Sequence, residues 1–472
     1  MPFARHGRPR DADSLRDTAL TPFWLDDARR PEPAPTLEGD STADLVVVGG
    51  GFTGLWTALL AAERDPRRDV LLVEGDSVAQ GASGRNGGFM ADSLTHGLGN
   101  GVSRWPEQMP TLLRMGQANL DAIEATINEH SIDCDFHRSG GLDVAVDPHH
   151  VDELREAVDV GNDLGLELEF LDREALRSLV DSPTYLAGVL DRRGTALVNP
   201  ARLAWGLRQA CLDRGVRIHE GTRVTGVDAD GAGMRLTTAG GSVRAAQVAL
   251  ATNAFPPLLR RISQYVVPVY DYVLVTEPLT AQQRAVIGWS GEQGIGDAGN
   301  QFHYYRVTAD GRILWGGYDA EYHWNNGFGP HLENDHESYL RLATHFFDTF
   351  PQLRGVRFTH AWGGAIDTCS RFCAYWGSAF GGRLSYVVGF TGLGVAASRF
   401  GAEVMLDHLE SRDTERTRLE MVRTKPLPFP PEPFRSVGIS WTRASLDRSD
   451  RLAGKRNLWL RSLDRLGLGF DS

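Results

Sequence analysis

The chain has 472 residues, of which 42% are hydrophobic and 23% are charged, a composition typical of globular proteins that excludes a disordered or fibrous chain. At about 150 residues per domain, the length predicts two or three domains. The net charge of −12 argues against a nucleic-acid partner, because proteins that grip phosphate backbones carry basic surfaces.

Targeting and metal-binding signals are not evident in the sequence. No run approaches the roughly 18–20 apolar residues of a membrane span, and the charged start has no apolar signal-peptide core. The four cysteines are too few for a disulfide scaffold, and Cys369 and Cys373 lack a second ligand pair at zinc-finger spacing. We therefore expect a cytoplasmic protein with free thiols, no metal and no membrane span.

The predicted elements begin after a polar, proline-rich arm, residues 1–40. A β-branched run at 45–48 predicts a buried parallel strand. A helix from 55 to 64 and a second buried strand at 70–73, ending at Glu74, complete a βαβ unit of the usual length of about 30 residues.

Later segments alternate between helical and β patterns. Helical spacing is found at 105–130, 151–164, 200–214 and 332–350, and β patterns at 141–146, 216–248, 265–276 and 302–318. Asp310-Gly311 predicts a hairpin turn. A last buried strand at 386–389 leads through glycines into a helix to about residue 409, and a basic, proline-rich tail follows.

A glycine motif lies between the first strand and the first helix. Gly49, Gly51 and Gly54 form GxGxxG, in which the glycines allow a tight turn, close approach of a pyrophosphate and close helix packing. Glu74 lies twenty residues beyond Gly54, where its carboxylate can accept both hydrogen bonds of a ribose diol. The complete unit predicts dinucleotide binding, with the phosphates at the helix N-terminus.

A second glycine-rich loop, residues 81–88 (GASGRNGG), stands where a long cofactor would continue. Here the sequence resembles the D-amino-acid oxidase family of FAD-dependent amine oxidoreductases, which includes glycine and sarcosine oxidases, and the loop is most similar to the gamma-glutamylputrescine oxidase branch. Segments 223–227, 251–254 and 389–394 resemble three further family motifs in the same order. The resemblance extends over roughly residues 40–410.

The resemblance implies FAD that is bound noncovalently. Asn86 stands about where histidine-linked relatives have their histidine, and the surroundings of Cys369 and Cys373 do not match the cysteine-linked branch. Ser83, Arg85 and Asn86 could instead form only a solvated turn. The expected cofactor-binding residues are Gly49, Gly51, Phe52, Thr53, Gly54, Glu74, Ser83, Arg85, Asn86, Gly87, Gly88, Val224, Thr252, Gly389, Gly392, Leu393 and Gly394.

Aromatic residues in the later β segments are the candidates for contact with a substrate. An aromatic wall suits an amine through cation–π contact, whereas Arg306 or Arg371 would suit a carboxylate. Sheet packing is the alternative reading of each residue. The residues expected to act in catalysis or substrate contact are Tyr270, Tyr272, Tyr304, Arg306, Trp315 and Trp362.

The expected fold is α/β, with a Rossmann-like FAD-binding domain and an inserted mixed-sheet substrate domain. We assign the FAD-binding domain to residues 41–95, 190–260 and 355–412, the substrate domain to 96–189 and 261–354, and a tail to 413–472. The resemblance implies hydride transfer from an amine-bearing carbon to flavin, which gives an imine that hydrolyses to an aldehyde or keto acid.

The electron acceptor and the physiological role stay open in the sequence. Oxygen is the first expectation, a quinone or carrier protein the second, and a flavin-binding partner subunit without turnover of small amines the third. Sarcosine-type oxidases have a lysine near the flavin, at a place that falls near Trp315 by motif order. The two lysines of this chain, Lys425 and Lys455, are in the tail. The oligomeric state is not indicated.

Overall fold

The structure is a computed structural model that describes residues 3–465 and 467–468. The remaining residues of the expected arm and tail lie outside this range. The strands, numbered in chain order, are β1 (Ser41–Val48), β2 (Val70–Val73), β3 (Phe89–Ala91), β4 (Gly141–Ala145), β5 (Leu168–Leu171), β6 (Ala187–Asp191), β7 (Thr195–Leu197), β8 (Arg217–His219), β9 (Val224–Asp230), β10 (Gly233–Thr238), β11 (Ser242–Leu250), β12 (Val266–Thr276), β13 (Gly294–Asp297), β14 (His303–Val307), β15 (Ile313–Gly317), β16 (Glu321–Tyr322), β17 (Phe358–Cys369), β18 (Tyr375–Ala379) and β19 (Leu384–Val388).

The α-helices are α1 (Phe52–Arg64), α2 (Leu98–Arg104), α3 (Met109–Glu129), α4 (Pro148–Asp163), α5 (Arg173–Leu179), α6 (Pro200–Asp213), α7 (Ala281–Ile287), α8 (His336–Thr349), α9 (Gly394–Leu409), α10 (Glu415–Arg418), α11 (Glu420–Arg423), α12 (Phe434–Arg451) and α13 (Leu458–Arg465). In the part of the chain that is described, none of these helices has the length and apolar character needed to cross a bilayer.

The first sheet has the strand order β18-β19-β11-β1-β2-β8, with β9 and β10 joined to β11 as an antiparallel ribbon. Strands β19, β11, β1, β2 and β8 run parallel, and their apolar residues are buried between two layers. Helices α1, α6 and α9 cover one face and the ribbon packs toward the other. This arrangement confirms the Rossmann-like unit predicted from the βαβ pattern.

The second sheet is mixed and has the order β16-β12-β15-β14-β13-β4-β6-β5, with β17 paired along β12. Strands β14 and β15 form the hairpin expected at Asp310-Gly311. Helix α8 packs against one face of this sheet through an aromatic core. The other face contributes Val273, Leu314 and Trp362 to the core around α1, so it faces the first sheet.

Two segments lie differently from the expected division of the chain. Strand β17, expected with the FAD-binding segments, pairs with β12 in the second sheet and carries the chain back to the first sheet at Cys369. Helix α3, expected in the substrate domain, packs on α9, and its Leu120 and Ile123 belong to the core around α1. Periodicity shows that a helix or strand has a buried face but does not identify the neighbour that buries it.

The N-terminal segment contacts both α8 and the second glycine-rich loop. The Arg8 guanidinium binds the Asp348 carboxylate at 2.5 and 2.9 Å, and the backbone N–H of Ala19 donates to the Thr359 carbonyl at 2.9 Å. The Trp24 indole N–H donates to the Asn86 carbonyl at 2.8 Å. Residues of this segment therefore hold part of the candidate site in place.

Candidate active site

The GxGxxG loop connects the end of β1 to the first turn of α1. Gly49 has a φ of +114°, which favours glycine. A Cβ at Gly54 would stand 1.8 Å from the Gly49 carbonyl oxygen, so α1 can approach the loop only because residue 54 lacks a side chain. Gly51 has no side chain to cap α1, so apart from the Phe52 N–H, which donates to Ser83, the first turn leaves backbone N–H groups and the helix dipole for an anion.

Glu74 lies at the end of β2, beside this loop. Its Oε2 accepts a hydrogen bond from the Gly50 N–H at 2.6 Å, and its Oε1 accepts one from the Asp76 N–H at 2.8 Å. Burial raises the pKa of this carboxyl group above its usual range. Each oxygen keeps a second lone pair, so the geometry is compatible with the expected hydrogen bonds to a ribose diol.

The second glycine-rich loop, residues 81–88, is held against α1 by its own side chains. The Ser83 hydroxyl oxygen accepts a hydrogen bond from the Phe52 N–H at 2.9 Å. The Asn86 side chain accepts from the Gly88 N–H at 2.8 Å and donates to the Ala82 and Ser83 carbonyls. These contacts shape the loop, whereas direct contact of Ser83 and Asn86 with the cofactor stays a prediction.

Arg85 extends from this loop toward the second sheet. Its guanidinium pairs with Glu333 at 2.7 Å and donates to the Gly363 carbonyl at 3.1 Å, and the Trp362 indole N–H donates to the Arg85 carbonyl at 2.8 Å. Loop 81–88 is thus fixed between the two sheets.

The loop of residues 389–394 precedes α9 and lies beneath the end of β17. Gly389 and Gly392 have φ values of +84° and +92°. The Asp367 carboxylate accepts a hydrogen bond from the Gly389 N–H at 2.6 Å, and burial raises the pKa of Asp367 to about 6. Leu393, the residue before α9, makes no side-chain cap, so a second helix N-terminus is open to a ligand.

The remaining cofactor candidates lie at the same edge of the first sheet. Thr252 is the second residue after β11, and a Cβ on Gly49 would stand 2.5 Å from the carbonyl oxygen of the preceding Ala251. Val224 begins β9, shortly after Thr222, whose N–H donates to the Glu74 carbonyl at 2.7 Å. Two helix N-termini, an acid and three loops lie at this edge, which fits a long dinucleotide.

Cys369 and Cys373 are buried beside the 389–394 loop. The Cys369 thiol donates to the Cys373 carbonyl at 3.1 Å, and burial raises the pKa of the Cys373 thiol to about 12. Burial raises the pKa of both thiols and so disfavours the thiolate form that a covalent link would need.

Three substrate candidates share the face of the second sheet that meets loop 81–88. Tyr304 and Trp362 lie on one cross-strand row with Gly316 and Val273 between them. The Tyr304 ring lies against Gly87, where an added Cβ would be only 2.7 Å away.

Arg306 lies on the same face, but two of its three side-chain nitrogens donate to the backbone. Its Nη1 donates to the Val198 carbonyl at 2.7 Å and to the Gly88 carbonyl at 3.1 Å, and its Nε donates to Val307. Arg371 likewise donates to the carbonyls of Cys373 and Thr424. Arg371 thus has all three nitrogens engaged, and Arg306 keeps only Nη2 without a hydrogen bond to a described residue, so neither offers the two nitrogens of a bidentate carboxylate contact.

Trp315, Tyr270 and Tyr272 lie on the opposite face, which corrects the expectation of a single aromatic wall. Trp315 packs against the rings of Tyr305 and Phe346 in the core beneath α8. The Tyr272 hydroxyl donates to the Leu332 carbonyl at 3.0 Å. The alternation of side chains along a strand predicts that Tyr270 and Tyr272 share one face of β12. It does not show that this face points away from loop 81–88.

Asp271 was not identified from the sequence, although it stands between the two tyrosines. It lies on the side of β12 that faces loop 81–88 and pairs with Gly364 across the strands. Its carboxylate accepts a hydrogen bond from the Tyr304 hydroxyl at 2.6 Å. Burial raises the pKa of Asp271 to about 7. It makes no ion pair with any described residue. In the sequence, the available signal was an acid placed between two tyrosines, which alternation puts on the face of the strand opposite to theirs.

Comparison with known proteins shows a family match over most of the chain. The family model for FAD dependent oxidoreductases (DAO) matches residues 44–408. Gamma-glutamylputrescine oxidoreductase of Escherichia coli (strain K12) is 31% identical over 410 residues, which cover 84% of this chain and 89% of that protein.

Solved structures share the fold at lower identity. Glycine oxidase from Geobacillus kaustophilus has a TM-score of 0.68 at 20% identity, over 79% of this chain and 96% of that chain. L-Proline dehydrogenase from P. horikoshii has a TM-score of 0.67 at 17% identity, over 80% of this chain and 96% of that chain.

Proposed function

The chain belongs to the DAO family of FAD dependent oxidoreductases, and from this premise we propose that it oxidises a C–N bond of a small amine recognised through its nitrogen. FAD is the cofactor, held noncovalently, and it supplies the two-electron acceptor for the reaction. The E. coli relative is named for gamma-glutamylputrescine, a polyamine derivative, which supports a substrate of this class.

The observation that carries the proposal is the charge on the sheet face that meets loop 81–88. Asp271 is an acid without an ionic partner among the described residues, whereas Arg306 and Arg371 use most of their donors on backbone carbonyls. A half-buried carboxylate attracts a cationic amine, and neither of these two arginines offers a carboxylate two free nitrogens. This charge pattern favours an amine over a small amino acid.

In the proposed reaction, Asp271 holds the ammonium group of the substrate and takes its proton. Tyr304 donates to Oδ2 of Asp271 and thereby fixes the carboxylate, and Trp362 contributes an apolar wall on the same row. The carbon of the neutral amine then loses a hydride and its nitrogen loses a proton, which gives an imine. Water converts the imine to a carbonyl compound and releases the nitrogen as ammonia or an amine.

We propose oxygen as the electron acceptor, with hydrogen peroxide as its product. A dehydrogenase that passes electrons to a quinone or carrier is the second candidate, because this chain has no lysine outside the tail. The yield of peroxide per substrate oxidised in air separates the two, since an oxidase gives about one equivalent and a dehydrogenase gives far less.

The proposal is tested by anaerobic reduction of the bound flavin with polyamines, N-methyl amino acids and D-amino acids. We expect a polyamine-type amine to bleach the flavin absorbance fastest, and Asp271→Asn to slow that reaction strongly. Asp310→Asn, in the exposed hairpin turn of the same sheet, is the matched control and should react like the parent protein. Bleaching only by amino acids would overturn the amine assignment. Failure of all the small amines would favour a partner subunit.

A further inference from the structure

Helix α12 exposes three large apolar side chains to solvent and buries three polar ones. Ser445, Ser449 and Asp450 are buried. Phe434, Val437 and Trp441 follow helical spacing on the side away from Asp450 and are 69%, 57% and 58% exposed. A helix at an ordinary protein surface exposes mainly polar residues, so three large apolar side chains on the outer face suit a less polar surrounding than water.

The apolar face extends beyond one helix. Leu452 follows Phe434 by five full turns, and Trp459 of α13 stacks on Trp441 with ring centroids 5.5 Å apart. Leu458 is 82% exposed. We call the exposed apolar residues of this helix pair the tail surface; they are Phe434, Val437, Trp441, Leu452 and Leu458. Single exposed apolar residues are ordinary, but a group of this kind marks an interaction site.

The helix pair is basic although the protein is acidic. Residues 434–465 contain eight Arg or Lys and three Asp, a net charge of +5, in a chain of net charge −12. Arg443, Arg451 and Arg456 pair with acids of the protein. The exposed cations that form no ion pair with any described residue are Arg448, Lys455, Arg461 and Arg465.

We propose that the tail surface binds peripherally to a lipid bilayer that contains anionic phospholipids. Exposed Trp, Phe and Leu side chains beside unpaired Arg and Lys are the composition of helices that lie in a membrane interface. A second copy presenting the same surface would bring two groups of like charge together, which disfavours self-association through this face. Because no described helix spans a bilayer, the protein would rest on the membrane through this surface.

The test uses the full-length flavin-loaded protein and extruded vesicles in a sedimentation assay. With vesicles containing phosphatidylcholine and about one third phosphatidylglycerol, we expect most of the protein to pellet. With phosphatidylcholine alone, or in 0.5 M NaCl, binding should fall at least tenfold, because salt screens the attraction between Arg or Lys and lipid phosphate.

The variant Phe434→Ser/Val437→Ser should lower binding to the anionic vesicles at least tenfold and leave flavin content and amine-driven bleaching unchanged. Val286→Ser, at an exposed apolar position outside the tail, is the matched control and should bind like the parent. Phe434→Asp is a second, single variant in case the double variant does not fold, and it should also weaken binding.

Three results would overturn the proposal. The first is lack of sedimentation with anionic vesicles, and the second is equal binding to both lipid compositions. The third is a dimer in sedimentation velocity that dissociates in the double variant without any vesicle binding, since a second copy would then cover the surface. None of these results depends on which amine the enzyme oxidises.

Discussion

The two sheets contribute to the candidate site by different means. The first sheet uses backbone: glycines, helix N-termini and strand ends surround the expected position of FAD, with Glu74 as the main side chain. The second sheet uses side chains from separate strands, with Asp271, Tyr304 and Trp362 on one face. Backbone sites require particular residues at fixed spacing, and side-chain sites require only that the sheet brings the right residues to one face.

In the first sheet, substitution of a loop glycine should therefore have the largest effect on flavin binding and folding. In Gly54→Ala the new methyl group would stand 1.8 Å from the Gly49 carbonyl oxygen, so the loop or the helix must move. We expect the protein to lose its flavin, measured as the ratio of absorbance near 450 nm to that at 280 nm, or to fail to fold.

Gly438→Ala is the matched control, because Gly438 is also helical and an added Cβ would meet no heavy atom within 4 Å. This change should leave flavin content intact and stabilise the helix by up to ~1 kcal/mol. A flavin-loaded Gly54→Ala protein with normal melting temperature would show that close packing of α1 on the loop is dispensable.

The second sheet should be most sensitive at Asp271. Loss of a charge that pairs with a buried ammonium costs ~2–5 kcal/mol, so Asp271→Asn should lower kcat/KM for the best amine by a factor on the order of 30 to several thousand. The carboxylate is the active form and burial raises its pKa to about 7, so activity of the parent should rise with pH through about 7. This rising limb of the pH profile should be absent in Asp271→Asn.

Steady-state kinetics from pH 5 to 9 measure both effects, with Asp310→Asn again as the control. A variant that keeps the rising limb would assign it to another group. A variant that keeps its kcat/KM would remove Asp271 from substrate binding.

The difference between the sheets also explains what the sequence could predict. The elements β1, α1 and β2, with the glycines and Glu74, are local and contiguous, and the structure brings Thr252 and Gly389 to the same edge as expected. Which face of β12, β14 and β15 borders the candidate site depends on which layer of the fold covers each side of the sheet. Alternation alone could not decide that Trp315 lies under α8 while Tyr304 faces the glycine loop.

Buried acids are the other class that sequence reasoning missed. Asp271 stands inside a predicted β pattern and Asp367 lies outside the predicted ones, and neither isolated carboxyl group has a motif around it. Asp367 acts on the Gly389 N–H across a sequence separation of 22 residues, which only the folded chain brings together. For Asp271, an acid that interrupts an otherwise apolar and aromatic strand was the available signal.

A milder change in the first sheet concerns Glu74. In Glu74→Gln the charge is lost. The amide nitrogen of the new side chain would also face one of the two backbone N–H groups that donate to the carboxylate in the parent protein. We expect a loss of ~1–3 kcal/mol, or roughly tenfold to a hundredfold in the Kd for FAD. Titration of apoprotein with FAD, followed by flavin fluorescence quenching, measures it. Glu167→Gln, in an exposed ion pair, should have no effect, and an unchanged Kd in Glu74→Gln would remove Glu74 from the ribose site.

The smallest expected effect compares the two faces of the second sheet at adjacent residues. Tyr304 donates to Asp271 at 2.6 Å, a bond that lowers the pKa of this carboxyl group, whereas Tyr305 donates to Asp297 at 3.0 Å in the core under α8. Tyr304→Phe should lower kcat/KM by ~0.5–1.5 kcal/mol, or about two- to tenfold, and move the acidic limb to higher pH. Tyr305→Phe should leave the limb in place and lower only the melting temperature. Equal pH profiles in the two variants would mean that loss of either hydroxyl changes the pKa of Asp271 equally. The face beneath α8 would then contribute to catalysis as much as the face that meets loop 81–88.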